Sequence, residues 1–384
     1  MKIVIYLALV VCMIILYIMT GYSQGCVGVR PMSCSSSGNS GNLMSPEKNS
    51  FQASLSYRYY KSHRHYRGDV EQKERKEQDT EVVNITHSAE IGIAYGITDR
   101  SSLTVNIPFI YYDRSSLYEH YGNSASANPL HKRFHTGANG IGDMRLSFYY
   151  TIINPHKDSL RGNILAGFGI KFPTGNAKVE DEFHRIAADD SDSTFTRPVD
   201  QSIQLGDGGW GINPEIQAYF NLSKRFSLYM NAYYLFNPRN VNETLTRGTA
   251  PKTFTDSLTG WHSVADQYAV RLGISHKVCP KQGVGLSIGA RMEGIPSKDL
   301  IGKSEGFRRP GYIVSAEPGV SLVVSRLNIF VSVPVALYRN RIKSYSDLER
   351  DKIEPQIDHH GDAAFADYLI NASLAYRFGK KDMK

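Results

Sequence analysis

The residues that could do chemistry are few and scattered along the chain. His63 and His65 stand two apart, and His359 and His360 are adjacent. Either pair could bind a metal, but solvated loop histidines are the ordinary occupants of such polar stretches. Glu180, Asp181, Glu182, Asp189, Asp190 and Asp192 crowd one acidic segment. Their order lacks the regular ligand spacing of a calcium loop, so a hydrated outer loop is the better reading. A hydrolase built on strands needs a Ser or Thr hydroxyl beside a His. His87 and His276 fall in strand-like segments, but no spacing points to a partner. No phosphate-cradling Gly loop, nucleophile elbow or helical zinc-protease motif is present. The expectation is a non-enzyme with no catalytic residue, no cofactor and no metal ligand.

A second set of polar residues shares a pattern instead of a motif. Arg58, Glu90, Asp143, Arg145, Lys171, Glu215, Gln217, Arg271, Arg291, Glu293, Glu317, Asp367 and Arg377 all alternate with apolar neighbours. Successive side chains of a strand point to opposite faces. If the apolar faces meet lipid, these residues line a lumen. Charged groups there must be hydrated or paired, because isolated burial is costly. Two readings stay open: cross-strand pairs that brace the interior, or a polar path without strong selection by charge.

The elements that must position them are long alternating strands. From Gly140 to Gly175 the chain reads as a hairpin: Met144, Leu146, Phe148, Tyr150 and Ile152 on one face, the polar turn Asn154–Asp158, then Ile164, Ala166, Phe168, Ile170 and Phe172. Each strand runs about a dozen residues, beyond the usual five or six of a soluble sheet. Similar pairs flank Thr98–Ser101, Ser223–Arg225, Cys279–Gly283 and Ser325–Arg326. A strand from Phe51 opens the series, a charged stretch from Lys61 to Thr80 reads as loop, and Phe365–Phe378 closes the series. Pro108, Pro173, Pro238, Pro296 and Pro334 recur near outer strand ends, where a missing N–H loosens the ladder.

The expected fold is all-β: a transmembrane antiparallel β-barrel of about twelve strands with short periplasmic turns and long extracellular loops. Residues 1–24 read as a signal peptide, with Met1-Lys2, an apolar run from Ile3 to Met19, and small or polar residues up to Gln24. Residues 25–50 form a flexible periplasmic segment, 51–378 the barrel and 379–384 a basic tail. The location implied is a bacterial outer membrane, reached by export. Cys26 and Cys34 are disulfide candidates in an exported protein, with lipid modification of Cys26 as the competing reading. A formal charge of +7 without a basic, aromatic-studded stripe gives no nucleic-acid surface. The partners expected are membrane lipids and a small solute.

The GIGD at Gly140–Asp143 and the KFPTG at Lys171–Gly175, joined by long amphipathic strands, resemble the outer-membrane proteins grouped as the "MetA pathway of phenol degradation" family. The start from Gly25 to Arg30, with Cys34, looks like a Bacteroidetes branch of such barrels. Phe378 resembles the aromatic strand end read by the barrel-assembly machinery, although six residues follow it. The resemblance implies passage of hydrophobic or aromatic compounds and transfers no catalytic motif. The functional expectation is a channel or passive transporter for small molecules, constricted by the loop Asn176–Gly208. The alternative is a closed structural or surface-binding barrel acting through its extracellular loops.

Overall fold

In lipid no backbone N–H or C=O can be left to solvent, so strands cross a membrane only in a closed sheet. The computed structural model, which describes residues 46–153 and 161–378, shows that closure. Twelve antiparallel strands form the wall. They are β1 (Phe51–Arg67), β2 (Val83–Gly96), β3 (Ser101–Ser116), β4 (Phe134–Ile141 and Arg145–Thr151), β5 (Gly162–Lys171) and β6 (Gly211–Asn221). β7 (Phe226–Leu235), β8 (Gln267–Cys279), β9 (Val284–Ile295), β10 (Gly311–Val324), β11 (Leu327–Ser332 and Val335–Asn340) and β12 (Ala363–Phe378) follow. Each pairs with its predecessor, and β1 pairs with β12 from Phe51↔Phe378 to Tyr66↔Ala363, which leaves no edge. The signal segment, most of the 25–50 segment, Cys26, Cys34, the turn Asn154–Asp158 and the 379–384 tail lie outside the described residues.

The wall rises higher than the hydrophobic pattern implies. β1 continues through Lys61 to Arg67, where a loop is expected, and β3 reaches Ser116. Above the lipid both faces of a strand can be polar, provided the side chains find partners. Arg64 does so, donating to Glu71 at 2.6 Å and to Asp367 at 3.3 Å. The acidic segment likewise is a hairpin, Glu180–Ile186 against Asp192–Pro198. No three-residue metal cluster occurs among the described residues.

Two wall strands are interrupted, and each gap faces a proline. β4 breaks at Gly142–Met144 opposite Pro108 of β3, whose carbonyl accepts from Gly142 N at 2.9 Å. β11 breaks at Val333-Pro334 opposite Pro318 of β10, whose carbonyl accepts from Val333 N at 3.0 Å. A proline offers no ladder N–H, so the strand beside it loses a bond and can bend there. The GIGD motif is therefore the bend inside β4 and not the start of a strand. Pro173, Pro238 and Pro296 lie just past the ends of β5, β7 and β9.

Two aromatic girdles mark the bilayer. Toward the short turns Phe51 packs on Tyr95, and Phe226 on His276. Toward the long loops Tyr59 packs on His87, and Tyr312 on Tyr338. His87 and Tyr95 in β2, like Tyr268 and His276 in β8, are eight residues apart. At roughly 3.3 Å per residue and a tilt of about 40° the girdles stand about 20 Å apart, close to the apolar band of such barrels. His87 and His276 thus face outward, which removes them from any lumenal chemistry.

Inside, the Tyr229 ring of β7 lies over two glycines of β8 and β9. A Cβ on Gly289 would sit 2.5 Å from the Tyr229 hydroxyl and 2.7 Å from the Leu272 carbonyl. Neither can retreat without moving the wall. Gly289→Ala is expected to cost about 1–3 kcal/mol, read as a lower urea midpoint of the detergent-solubilised barrel.

Candidate functional site: a braced lumen under an outer vestibule

Half-way down the barrel the inward charges meet in two clusters. In the first, Arg58 of β1 reaches Glu293 of β9 at 2.7 Å, and Arg291 meets the other oxygen of Glu293 at 2.5 Å. β1 and β9 are not neighbours in the wall, so this contact crosses the lumen. Arg271 clasps Glu317 with two bonds of 2.7 and 3.0 Å, and Ser332 donates to the same carboxylate at 2.7 Å. In the second, Glu90 accepts from Arg145 at 2.5 Å and Asn106 at 3.0 Å. Glu215 accepts from Tyr149 at 2.9 Å and Asn213 at 2.8 Å. The first cluster carries three arginines and two carboxylates, the second one arginine and two carboxylates. They balance each other across the barrel.

All the residues expected to line the lumen are found buried except two. Arg58, Glu90, Asp143, Arg145, Lys171, Glu215, Gln217, Arg271, Arg291, Glu293 and Glu317 each expose 8% or less of their surface. Such burial shows the lumen filled by paired side chains at this height. Asp367 and Arg377 are half-buried and lie apart, the first beside Arg64 near the outer end and the second near Glu47 at the periplasmic end. These charges are held in ion pairs, Arg58 and Arg291 with Glu293, Arg271 with Glu317 and Arg145 with Glu90.

Above the clusters a loop segment enters the barrel. Lys171, at the top of β5, pairs with Asp207 and lies 3.8 Å from Asp143. Asp143, placed in the β4 bend, accepts the backbone N–H of Gly175 at 3.0 Å and of Asp207 at 3.2 Å. The bend thus positions the carboxylate that anchors both ends of the 176–206 loop. Asp200 accepts two bonds from Arg309, at 2.8 and 2.7 Å, and lies 3.5 Å from Arg114. Burial alone would raise this carboxyl, but the two guanidiniums outweigh it and hold it well below the usual carboxylate range. Val199 and Ile203 are wholly buried, and Gln201 donates to the Ser263 carbonyl at 2.7 Å. Beside them His262 is fully buried, and burial lowers its pKa to about 4. His120, under the acidic hairpin, is lowered to about 4 by the same cause.

Over this segment opens a vestibule of about 690 Å³ lined largely by loop residues. Arg75, Arg114, Arg308, Arg309, Arg341 and Arg350 contribute to its lining. None of these, nor Asp200 and Asp207, was singled out from the sequence. Arg114 offered a signal, since it continues the polar face of β3; the others depend on where loops fold, which has no period to read.

No protein-family model matches this chain, and no curated protein matches it. Among solved structures, an outer membrane channel from Pseudomonas putida F1 aligns with a TM-score of 0.54 at 12% identity, covering 91% of this chain and 100% of that one. This chain is an outer-membrane-type β-barrel. The P. putida toluene transporter TodX aligns with a TM-score of 0.42 at 11% identity, covering 94% and 99% of the two chains. The translocator domain of the autotransporter NalP from Neisseria meningitidis gives 0.43 at 10% identity, with 86% and 90% covered. At such identities the likeness is one of fold.

Two outcomes follow from the barrel's charges. Glu317→Ala strands Arg271 and brings Arg291 one counter-charge fewer, so the barrel should lose about 3–5 kcal/mol in detergent unfolding, with much of it restored in Glu317→Ala/Arg271→Met. The pH dependence runs through the loops. A histidine whose folded pKa is depressed destabilises the fold once protonated, and stability falls as pH drops from about 6.5 toward 4. Asp200, also depressed, keeps its contribution through that window. Protection factors of the amides around Val199–Ile203 and Trp261–Ser263, with exchange corrected for its intrinsic pH dependence, should therefore fall about tenfold or more between pH 7.5 and pH 4.5, while the transmembrane strands stay protected.

Proposed function

We propose that the barrel is a passive channel for small molecules across a bacterial outer membrane. Solutes enter from the vestibule, and residues 199–207 form the gate. The observation that carries this reading is how the gate is held. Besides the packing of Leu205 on Ile110 and Ala138, it is held by ion pairs and hydrogen bonds to strand ends and neighbouring loops, Asp200 with Arg309 and Arg114, Asp207 with Lys171, and Gln201 with Ser263. Polar ties can be exchanged for water or solute groups as the segment moves, which a wholly apolar plug does not allow. Below the gate, passage requires the arginines of the two clusters to swing aside, so conductance is small beside that of an open porin. The family resemblance supports the finer statement that aromatic compounds are among the cargo, and that the protein is a Bacteroidetes-type member of a phenol-pathway-like group. Assembly-machine recognition of the Phe378 strand end belongs to the same reading.

Planar-bilayer recording tests it. Deleting residues 178–205 joins Ala177 to Gly206, whose N–H already bonds the Asn176 carbonyl at 3.1 Å. The shortened loop closes without strain on the wall. The intact protein is expected to show small, flickering conductance, and the deletion a several-fold larger and steadier one. Silence from both would leave the closed, surface-binding barrel as the correct reading.

A further inference from the structure

The vestibule has a charge imbalance that neither the gate nor the wall uses. Its lining holds eight cationic side chains against three carboxylates, Asp256, Asp347 and Asp362. Three further carboxylates, Glu119, Asp200 and Asp299, pair with lining arginines from behind. Two positive charges remain in excess. The carboxylates present are also shared. Asp362 serves both Arg75 and His65, each at 2.8 Å, and Asp200 serves both Arg309 and Arg114. His65 accepts the Val82 N–H on Nε2, so it meets Asp362 through an Nδ1–H and adds no demand for charge.

Among the described residues, three lining cations stand without a carboxylate. Arg247 and Lys252 are exposed at the mouth, and Arg350 is half-buried on the helix Tyr345–Ile353. Arg341, 2% exposed, spends its Nη atoms on Asp347 and the Ile342 carbonyl. Its Nε is buried with no acceptor, and so is the Nε of Arg350. A desolvated guanidinium N–H without a partner is costly, and an anion in the vestibule would satisfy it. A concave, partly enclosed cavity focuses this field far more than a flat surface would. Apolar residues such as Val82, Phe307, Pro251 and Ala363 lie between the charges and leave room for a carbon skeleton.

We propose that the vestibule is a binding site for small multivalent organic anions, held by Arg247, Lys252, Arg341 and Arg350. As the selective step of the channel it rests on the reading above; as a binding site it stands alone. The probe is citrate, with glucose as the neutral comparator, titrated calorimetrically into the full chain in detergent. The variant is Arg247→Gln/Lys252→Gln/Arg350→Gln, which removes no carboxylate ion pair; retained heat-modifiable gel mobility shows that it folds.

Citrate is expected to bind the wild type and not to be mimicked by glucose. Its affinity should fall as salt rises and the Debye length shrinks below about 8 Å. The variant should bind about tenfold more weakly or worse. Absent citrate binding, or equal affinity in the folded variant, overturns the proposal. Conductance separates the two readings: binding in a barrel that never conducts keeps the site and sinks the channel, whereas a conducting barrel that ignores citrate does the reverse.

Discussion

Everything in this molecule depends on the pairing of β1 with β12. Until Phe51 meets Phe378 and Tyr66 meets Ala363, two strand edges would face hydrocarbon with their backbone groups unpaired. Closure removes that cost and creates an interior. Because the strand period is two, an outward apolar face obliges an inward face of the residues between. Arg58, Glu90, Arg145, Arg271 and Glu317 are therefore driven inside by the lipid-facing residues beside them. Once inside they must pair, and a barrel of this girth brings non-adjacent strands within a side chain's reach. The contact between Arg58 and Glu293 is the consequence: a bond across the lumen that no pair of neighbouring strands could make.

The same logic explains the irregularities. A regular twelve-strand wall would aim every inward side chain at the axis with equal spacing. The gaps opposite Pro108 and Pro318 relax the ladder at two places, and the structure uses the first of them. With Gly142 bonded to the Pro108 carbonyl, Asp143 turns to receive two backbone N–H groups of the incoming loop. A wall defect thus becomes a loop anchor. Buried charge pairs are a poor source of net stability, since desolvation consumes most of their attraction, but they penalise any arrangement that leaves one partner alone. In this barrel they fix where the loop sits more than how tightly the barrel holds.

That division also decides what could be read from residues alone. Strand alternation is set by steric geometry and the lipid on one side, so the strand series and the barrel were legible. Strand limits were not legible at the outer side. From Lys61 to Arg67 no lipid enforces alternation, and the strand is sustained by pairing with β12 and by partners such as Glu71 and Asp367. GIGD by itself reads only as the opening of a hairpin; the proline on the neighbouring strand makes it a bend within a strand. The vestibule was illegible for a stronger reason. Arg114, Arg308, Arg341 and Asp200 come from a strand end and separate loops, and their meeting is a property of closure and not of any local pattern.

The pairing rule that fills the middle of the barrel also gives the outer cavity its character. In the dry interior the arginines must share carboxylates, so the two clusters sum to neutrality together, four arginines against four carboxylates. At the vestibule water can solvate a surplus charge, so the rule relaxes and an excess of arginine and lysine persists. On the proposed reading, selection by charge belongs to the outer side, where the surplus cations Arg247, Lys252, Arg341 and Arg350 stand beside the guanidiniums that hold the loop. An anion that competes with Asp200 for Arg309 and Arg114 would draw on the bonds that hold residues 199–207 in place. On that reading recognition and opening would then be adjacent events, linked only if an anion bound at the surplus cations reaches the guanidiniums of the loop.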